Sequence, residues 1–354
     1  MATNSIRNSN IELLRIVSML MIMTHHFIIH ALYPEVMNSA PAAVVWLNAI
    51  CYVAVNCFVL ISGYFSIRLS WWRIVSWTVI VVFYALVTNI TERYLGGGRP
   101  GKTLLWYSLF PFAHNASWWF VTQYTILMLV SPLLNAALKA LDNRSATVAL
   151  MAVLVADVYI GWWGQQDSGY SIFHFITLYV VGSMLHRNEQ SLWAQPCLRR
   201  APRLWPLAIW LGCATLWSIL LLWKGMPTVL YRSAVSYNNP LVLLGAVALF
   251  CFFLRLNFKS RAVNYIAQSA IAAYLLQDGI PRLYDYFADH FVQPTVAGNI
   301  AVILCGAVAF FSFGIAVDQI RLVLWRTASR LLTRWAPQLM NGAPMAETHQ
   351  TTNN

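Results

Sequence analysis

Charged residues are scarce in this chain. Asp, Glu, Lys and Arg make up 10% of its 354 residues, against 59% hydrophobic ones, where a soluble domain carries about 25% charge. The shortfall excludes an ordinary soluble globular protein and points to an integral membrane one. There is no continuous basic face either. The net charge of +11 comes from residues scattered over short loops, which excludes a nucleic-acid-binding surface. The six cysteines show no metal-ligand spacing. Five of them (Cys51, Cys57, Cys213, Cys251 and Cys305) fall in apolar segments and Cys197 in a basic loop, so they read as small buried side chains, with neither a disulfide framework nor a metal site expected. No internal repeat is visible. The first apolar segment lacks a small-residue cleavage site and carries Glu12 and Arg15, so it is expected to stay as a helix.

What the chain does have is long apolar segments and rings. Aromatics make up 14%, with 16 Trp, a composition suited to belts at two membrane surfaces. A span needs about 20 apolar residues. Ten segments qualify, near 10–32, 43–66, 73–92, 118–138, 146–164, 171–187, 204–223, 238–256, 262–280 and 298–325. Polar or Pro/Gly-containing stretches separate them. The expected fold is all-α: a bundle of about ten transmembrane helices over residues 1–336, followed by a polar, disordered tail over 337–354. Six basic residues (Arg93, Arg99, Lys102, Lys224, Arg232 and Arg282) fall on one side of that bundle and the other 17 of the 23 on the other side. The positive-inside rule then puts both termini and the tail in the cytoplasm.

One literal motif is rejected. "GGGRPGKT", 96–103, satisfies the phosphate-loop pattern, but that loop needs a strand before it and a helix after it. Here it follows a membrane segment on the outer side, and a flexible loop is expected.

Polar residues inside apolar spans carry the functional signal, because an intramembrane charge costs at least a few kcal/mol. The first span reads "IELLRIVSMLMIMTHHFIIHAL". Arg15 and His26 are eleven residues apart, almost three full turns, so they share one face and stand roughly 16 Å apart along the axis. Glu12, Ser18, Ile22 and His30 lie near the same stripe, and His25 points roughly 100° away. A neutral histidine there can take or give a proton near neutral pH. The plainer alternative is that Glu12 and Arg15 pair at the helix end and the histidines bond neighbouring helices. Asp157 is either a functional carboxylate or the partner of a neighbouring helix. His174 is expected at the interface. Asn56 and Ser62 read as interhelical contacts or as lining of a substrate path. Trp118 and Trp119 read as interface anchors or as a platform for a sugar ring.

An arginine followed eleven positions later by a histidine in the first helix resembles the signature of the membrane acyltransferase-3 family. "VNCFVLISGYF", 55–65, resembles that family's second helix, and "SIRLSWWRI", with Arg68 and Arg73, the basic segment after it. "SWWFVTQYTILMLVSPLLN", 117–135, is similar to the Trp-rich start of a later helix in the polysaccharide-modifying branch, and "SAIAAYLLQD", 269–278, to a late helix that often reads Tyr-Leu-His. This chain departs from the pattern with Gln123 where many members have Glu, and with Gln277 and Asp278 after Tyr-Leu.

The resemblance implies a multi-pass enzyme of the cell (plasma or inner) membrane. It would be an O-acyltransferase, an acetyltransferase by its branch, moving an acyl group from cytoplasmic acyl-CoA to a hydroxyl of an envelope polysaccharide or lipid-linked glycan. Acetyl-CoA would serve as co-substrate, with no bound cofactor. It implies His26 and Arg15 as the catalytic residues, with His26 as general base, and Arg15, Arg68 and Arg73 on the donor's phosphates. His25, His30, Ser62, Trp118, Gln123 and Asp157 are the acceptor-side or auxiliary candidates. The rival function is a glycan transporter or flippase using the polar stripe as a path. It would favour inverted repeats and paired helix breaks, and none is seen.

The orientation is directly testable. Cysteines introduced at Leu141 and Gln195 should be shielded from an impermeant thiol reagent added outside intact cells, and one at Gly98 should react. Labelling at 195 and not at 98 would reverse the topology.

Overall fold

Backbone N–H and C=O groups cannot be left unpaired in an apolar medium, and a helix pairs all of them within one segment. The computed structural model describes residues 8–34, 40–96, 101–114, 118–164, 167–194, 202–223 and 235–335, and among them it has helices and no strand. Helix α1 (Ser9–Phe27) continues as a π-helical turn, Ile28–Leu32. Then come α2 (Ala42–Cys51), α3 (Ala54–Phe65) and α4 (Trp71–Tyr94). Two short helices follow, α5 (Gly101–Leu109) and α6 (Pro111–His114). Next are α7 (Trp119–Ala140), α8 (Asn143–Ala156) with a π-helical extension Asp157–Trp163, and α9 (Ile172–Ala194). The chain closes with α10 (Trp205–Leu222), α11 (Pro240–Leu254), α12 (Arg261–Ala267), α13 (Ala270–Asp278), α14 (Arg282–Phe291) and α15 (Val296–Trp335).

Among the described residues, seven helical segments are long and apolar enough to cross a membrane: Ser9–Leu32, Ala42–Phe65, Trp71–Tyr94, Trp119–Ala140, Asn143–Trp163, Trp205–Leu222 and Val296–Arg330. Each coincides with an expected span. The expectation of ten rests on three further helical stretches: α9, the 15-residue α11, and the α12–α13 pair, which a turn at Gln268–Ser269 divides. Residues 101–114, read from sequence as loop, hold α5 and α6. The short, strongly amphipathic α14 was not anticipated at all. Cys197 and the tail from 337 lie outside the described residues. Of the other cysteines, Cys51, Cys57 and Cys213 are buried, Cys251 half-buried and Cys305 exposed, and all five are free thiols.

Local chemistry sets the helix starts. Ser70, Asp142 and Ser260 accept from backbone N–H groups two or three residues on, at Arg73 (3.3 Å), Ser145 (3.2 Å) and Val263 (3.3 Å). Each thereby satisfies one of the orphan donors of a first turn. Pro206 and Pro240 stand in first turns, where a missing N–H costs nothing. The ends of the bundle are tied by long-range bonds: Ser9 Oγ accepts from the Ser260 N–H at 2.9 Å, and Asn10 Nδ2 donates to the Phe253 carbonyl at 2.9 Å. Since α2–α3 returns antiparallel to α1, the segment with Arg68 and Arg73 comes back to the end where Arg15 lies.

Helices α3 and α9 cross backbone to backbone. A Cβ on Gly63 would strike the Tyr179 carbonyl, and one on Gly182 the Leu60 carbonyl and Tyr64 N–H. Ser183 Oγ donates to the Gly63 carbonyl at 2.9 Å. Small residues allow this approach where no hydrophobic effect drives helices together. We expect Gly182→Ala to cost about 1–3 kcal/mol through overpacking, read as a lowered thermal midpoint in detergent. Gly212→Ala, with nothing within 4 Å of the added methyl, should leave it unchanged. Equal midpoints for both variants would mean the crossing is looser than described.

Candidate functional site

Helical spacing places Arg15, Met19, Ile22 and His26 in line at steps of four, three and four residues. Met19, Ile22 and His26 line a narrow apolar slot with Val55, Phe58, Trp119, Phe120, Tyr237, Ile271 and Tyr274. The Arg15 side chain is 37% exposed and its Nε is 3.7 Å from Glu12. The plainer pairing at the helix end is therefore also present, in a form that contributes little.

His26 is held from two distant parts of the chain. Its Nδ1 is 3.9 Å from Asp278 Oδ1, at the end of α13, and 3.4 Å from the Tyr284 hydroxyl on α14. A carboxylate beside Nδ1 favours the proton on that nitrogen, which leaves the Nε2 lone pair as the one able to take another. Gln277, next to Asp278, is fully buried and donates from Nε2 to the Met23 carbonyl at 3.2 Å. Helix α14 stays over this corner: Phe287 packs on Phe27 with ring centroids 4.4 Å apart, and Arg282 donates to the Leu95 carbonyl at 2.6 Å.

His25 faces elsewhere, as its angle on the helix requires. Its Nδ1 is 2.6 Å from Asn48 Oδ1 and its ring meets Tyr52 edge-on at 5.3 Å. His30 is exposed, with its ring 5.4 Å from that of His26 and 5.1 Å from that of Tyr284. Arg68 and Arg73 are exposed. Ser62 donates to the Phe58 carbonyl at 3.1 Å and lies 3.2 Å from the Tyr124 hydroxyl. Gln123 is half-buried on α7. Of the two tryptophans, Trp119 faces the slot, whereas Trp118 is 1% exposed and packs in the core. Adjacent residues on a helix point roughly 100° apart, and only one of the pair could face the slot.

Asp157 and His174 form a separate, closed network. Both are fully buried, which corrects the interfacial position expected for His174. His174 Nδ1 is 2.8 Å from Asp157 Oδ2 and its Nε2 is 3.1 Å from Asn56 Oδ1. Asn56 Nδ2 donates to the Tyr237 carbonyl at 2.9 Å, so its Oδ1 must accept from His174 Nε2–H. The contact to Asp157 then needs one more proton, held between Nδ1 and the carboxylate. Asn238 Nδ2 donates to Asp157 Oδ1 at 3.3 Å and to Asp167 Oδ1 at 3.1 Å. The network fixes the 236–239 segment and with it Tyr237, which lies against Trp119 at 5.6 Å in the slot wall. Asp157 thus supports the wall and does not reach the slot.

Sequence reasoning missed Asp278 as a partner of His26, and also Tyr237, Tyr274 and Tyr284. The only signal was the departure at Gln277 and Asp278, which marked the position without giving its partner.

A family model described as an acyltransferase domain matches residues 8–318. No curated protein and no solved structure matches the chain.

Removing one half of a buried pair leaves the other uncompensated, at about 3–5 kcal/mol. We expect His174→Ala to lower the unfolding midpoint strongly and Asp157→Asn, which keeps a hydrogen-bonding group, to lower it less. A His174→Ala protein as stable as wild type would mean the pair is not closed as described.

Proposed function

The chain belongs to the acyltransferase-3 family and is a multi-pass membrane acyltransferase; from that premise we propose that it moves an acetyl group from acetyl-CoA to a hydroxyl of an envelope polysaccharide or lipid-linked glycan in the cell membrane. The observation that carries this reading is the track along α1. Arg15 stands at one end, Met19 and Ile22 face an apolar slot, and His26 stands at the slot with Asp278 and Tyr284 behind it. A donor with phosphates at one end, an uncharged arm and a thioester at the other fits that order of cation, apolar surface and base. Arg15, Arg68 and Arg73 hold the phosphates from the cytoplasmic side, since arginine suits phosphate.

In the reaction, the acceptor hydroxyl oxygen attacks the thioester carbonyl while His26 Nε2 takes its proton. Asp278 steadies the imidazolium and keeps the ring oriented. The Tyr274 hydroxyl, in the same slot, is placed to donate to the oxyanion. The tetrahedral intermediate collapses with cleavage of the C–S bond, and the leaving thiolate takes the proton back from His26. Trp119 and Tyr237 offer ring faces for the acceptor sugar opposite the base. The narrow apolar walls keep out water, which would otherwise hydrolyse the thioester.

The test supplies radiolabelled acetyl-CoA to membranes with and without the protein and follows label into the glycan fraction. His26→Ala should lower transfer by about 10²–10⁴-fold, the usual contribution of a general base, with normal protein levels in the membrane. His25→Ala should cost much less and His30→Ala an intermediate amount. Arg15→Ala, Arg68→Ala and Arg73→Ala should each raise the KM for acetyl-CoA, with Lys at Arg15 rescuing only in part. Equal label with and without the protein would overturn the reading. Full activity in His26→Ala would move the base elsewhere.

A further inference from the structure

His26, His30 and Asp278 each offer one ligand atom, and all three atoms lie within 4.8 Å of one another. We propose that these three residues form a binding site for a divalent transition-metal ion, Zn²⁺ by its chemistry, and that an ion bound there switches off the base. The inhibitory half of this proposal rests on the reading of His26 as the base.

The donor set selects the ion. Two imidazoles and one carboxylate are the nitrogen and oxygen ligands Zn²⁺ prefers, whereas Ca²⁺ and Mg²⁺ take oxygen ligands. His26 and His30 are four residues apart on one helical run, so their rings come to the same side. Zinc–ligand bonds of about 2.0–2.1 Å put tetrahedral ligand atoms about 3.3 Å apart. His26 Nδ1 and Asp278 Oδ1 are already 3.9 Å apart. His30 is exposed, and rotation of its side chain can bring in the third ligand. Three protein ligands leave a fourth position open. The Tyr284 hydroxyl, 3.4 Å from His26 Nδ1, borders it.

The inhibition follows from where the ion sits on the ring. A metal on Nδ1 takes the place of the proton there. The neutral imidazole then carries its proton on Nε2, the atom that must accept one from the acceptor hydroxyl. The ring stays in position and loses its lone pair on the working side. Access also fits: His30 lies further along α1 from Arg15, so the ion arrives at the opposite end from the donor's phosphates.

The experiment uses the full-length protein in detergent, stripped with a chelator and titrated with Co²⁺ as a coloured substitute for Zn²⁺. We expect one equivalent bound with a visible ligand-field band, displaced by Zn²⁺. Changes to groups that merely orient metal ligands cost 10–100-fold in affinity, so His30→Gln and Asp278→Asn, which alter ligands, should each weaken binding by at least about tenfold. His290→Ala, on exposed α14 surface, should bind as wild type does. Zn²⁺ should inhibit transfer by the wild type, with reversal by chelator, and His30→Gln should need at least about tenfold more Zn²⁺. No Co²⁺ band, or equal binding by His30→Gln and Asp278→Asn, overturns the site. The two readings fail separately. Inactive His26→Ala beside a wild type that binds no Co²⁺ keeps the base and removes the metal site. A normal Co²⁺ titration beside a fully active His26→Ala keeps the metal site and removes the base.

Discussion

A polar group buried in this bundle is costly unless a partner within the chain meets it, and how tightly the ionisable ones are met separates scaffold from site. His174 and Asp157 meet at 2.8 Å, His25 and Asn48 at 2.6 Å. Arg321 makes two bonds to Asp318, at 2.6 and 3.0 Å, while Tyr84 donates to the same carboxylate at 2.8 Å. Around His174–Asp157 and Arg321–Asp318 the side chains close on one another, whereas at His25 the Asn48 oxygen is engaged and its Nδ2 is left without a partner. His26 differs. The Tyr284 hydroxyl and Asp278 Oδ1 stand at 3.4 and 3.9 Å from its Nδ1, too far for strong bonds and near enough to form one when charge develops. A group meant to exchange a proton is better served by such partners than by a closed pair, which would bind the proton or block its path.

The closed pairs also explain why the slot keeps its shape. Tyr237 carries no helix of its own. It sits in a short segment held by Asn56 through its carbonyl and by Asn238 through Asp157 and Asp167. On the other side, α3 is locked to α9 by the crossing at Gly63 and Gly182. The slot wall is thus built on contacts between backbones and on buried hydrogen bonds. Both tolerate little displacement, since interiors are packed as densely as organic crystals.

Sequence alone shows much of this fold because span length and helical period are local properties. Each segment expected to cross the membrane is helical over most of its length, the one near 262–280 being divided by a turn, and the Arg15–His26 stripe follows from 3.6 residues per turn. What stayed hidden is tertiary. Nothing local distinguishes Trp118 from Trp119; packing against the core buried the first and turned the second to the slot. Asp157 and His174 were each visible as intramembrane polar residues, but the bond that closes them runs between α8's extension and α9. Asp278 and Tyr284 lie more than 250 residues from His26, so no spacing rule could join them to it. Helix α14 escaped because ten residues in which Arg282, Asp285, Asp289 and His290 interrupt the apolar and aromatic ones fall below any span-length signal.

The position of His26 imposes a division of labour on the rest of the site. The proposed base stands at the junction of an apolar track that leads back to Arg15 and a corner where His30 is exposed. Its two ring nitrogens therefore face different partners: Nδ1 turns to Asp278 and Tyr284, and Nε2 remains for chemistry. A change at Nδ1 reaches Nε2 through the ring itself, because a neutral imidazole carries one proton and placing it on one nitrogen frees the other. Control exerted at the Asp278 corner then needs no movement of a helix and no competition with a donor bound along the track. The departure at Asp278 acquires a physical meaning on this view. It places a carboxyl group beside Nδ1 of His26, on the side away from the proposed chemistry, from a helix that the first span's sequence gives no reason to expect beside it.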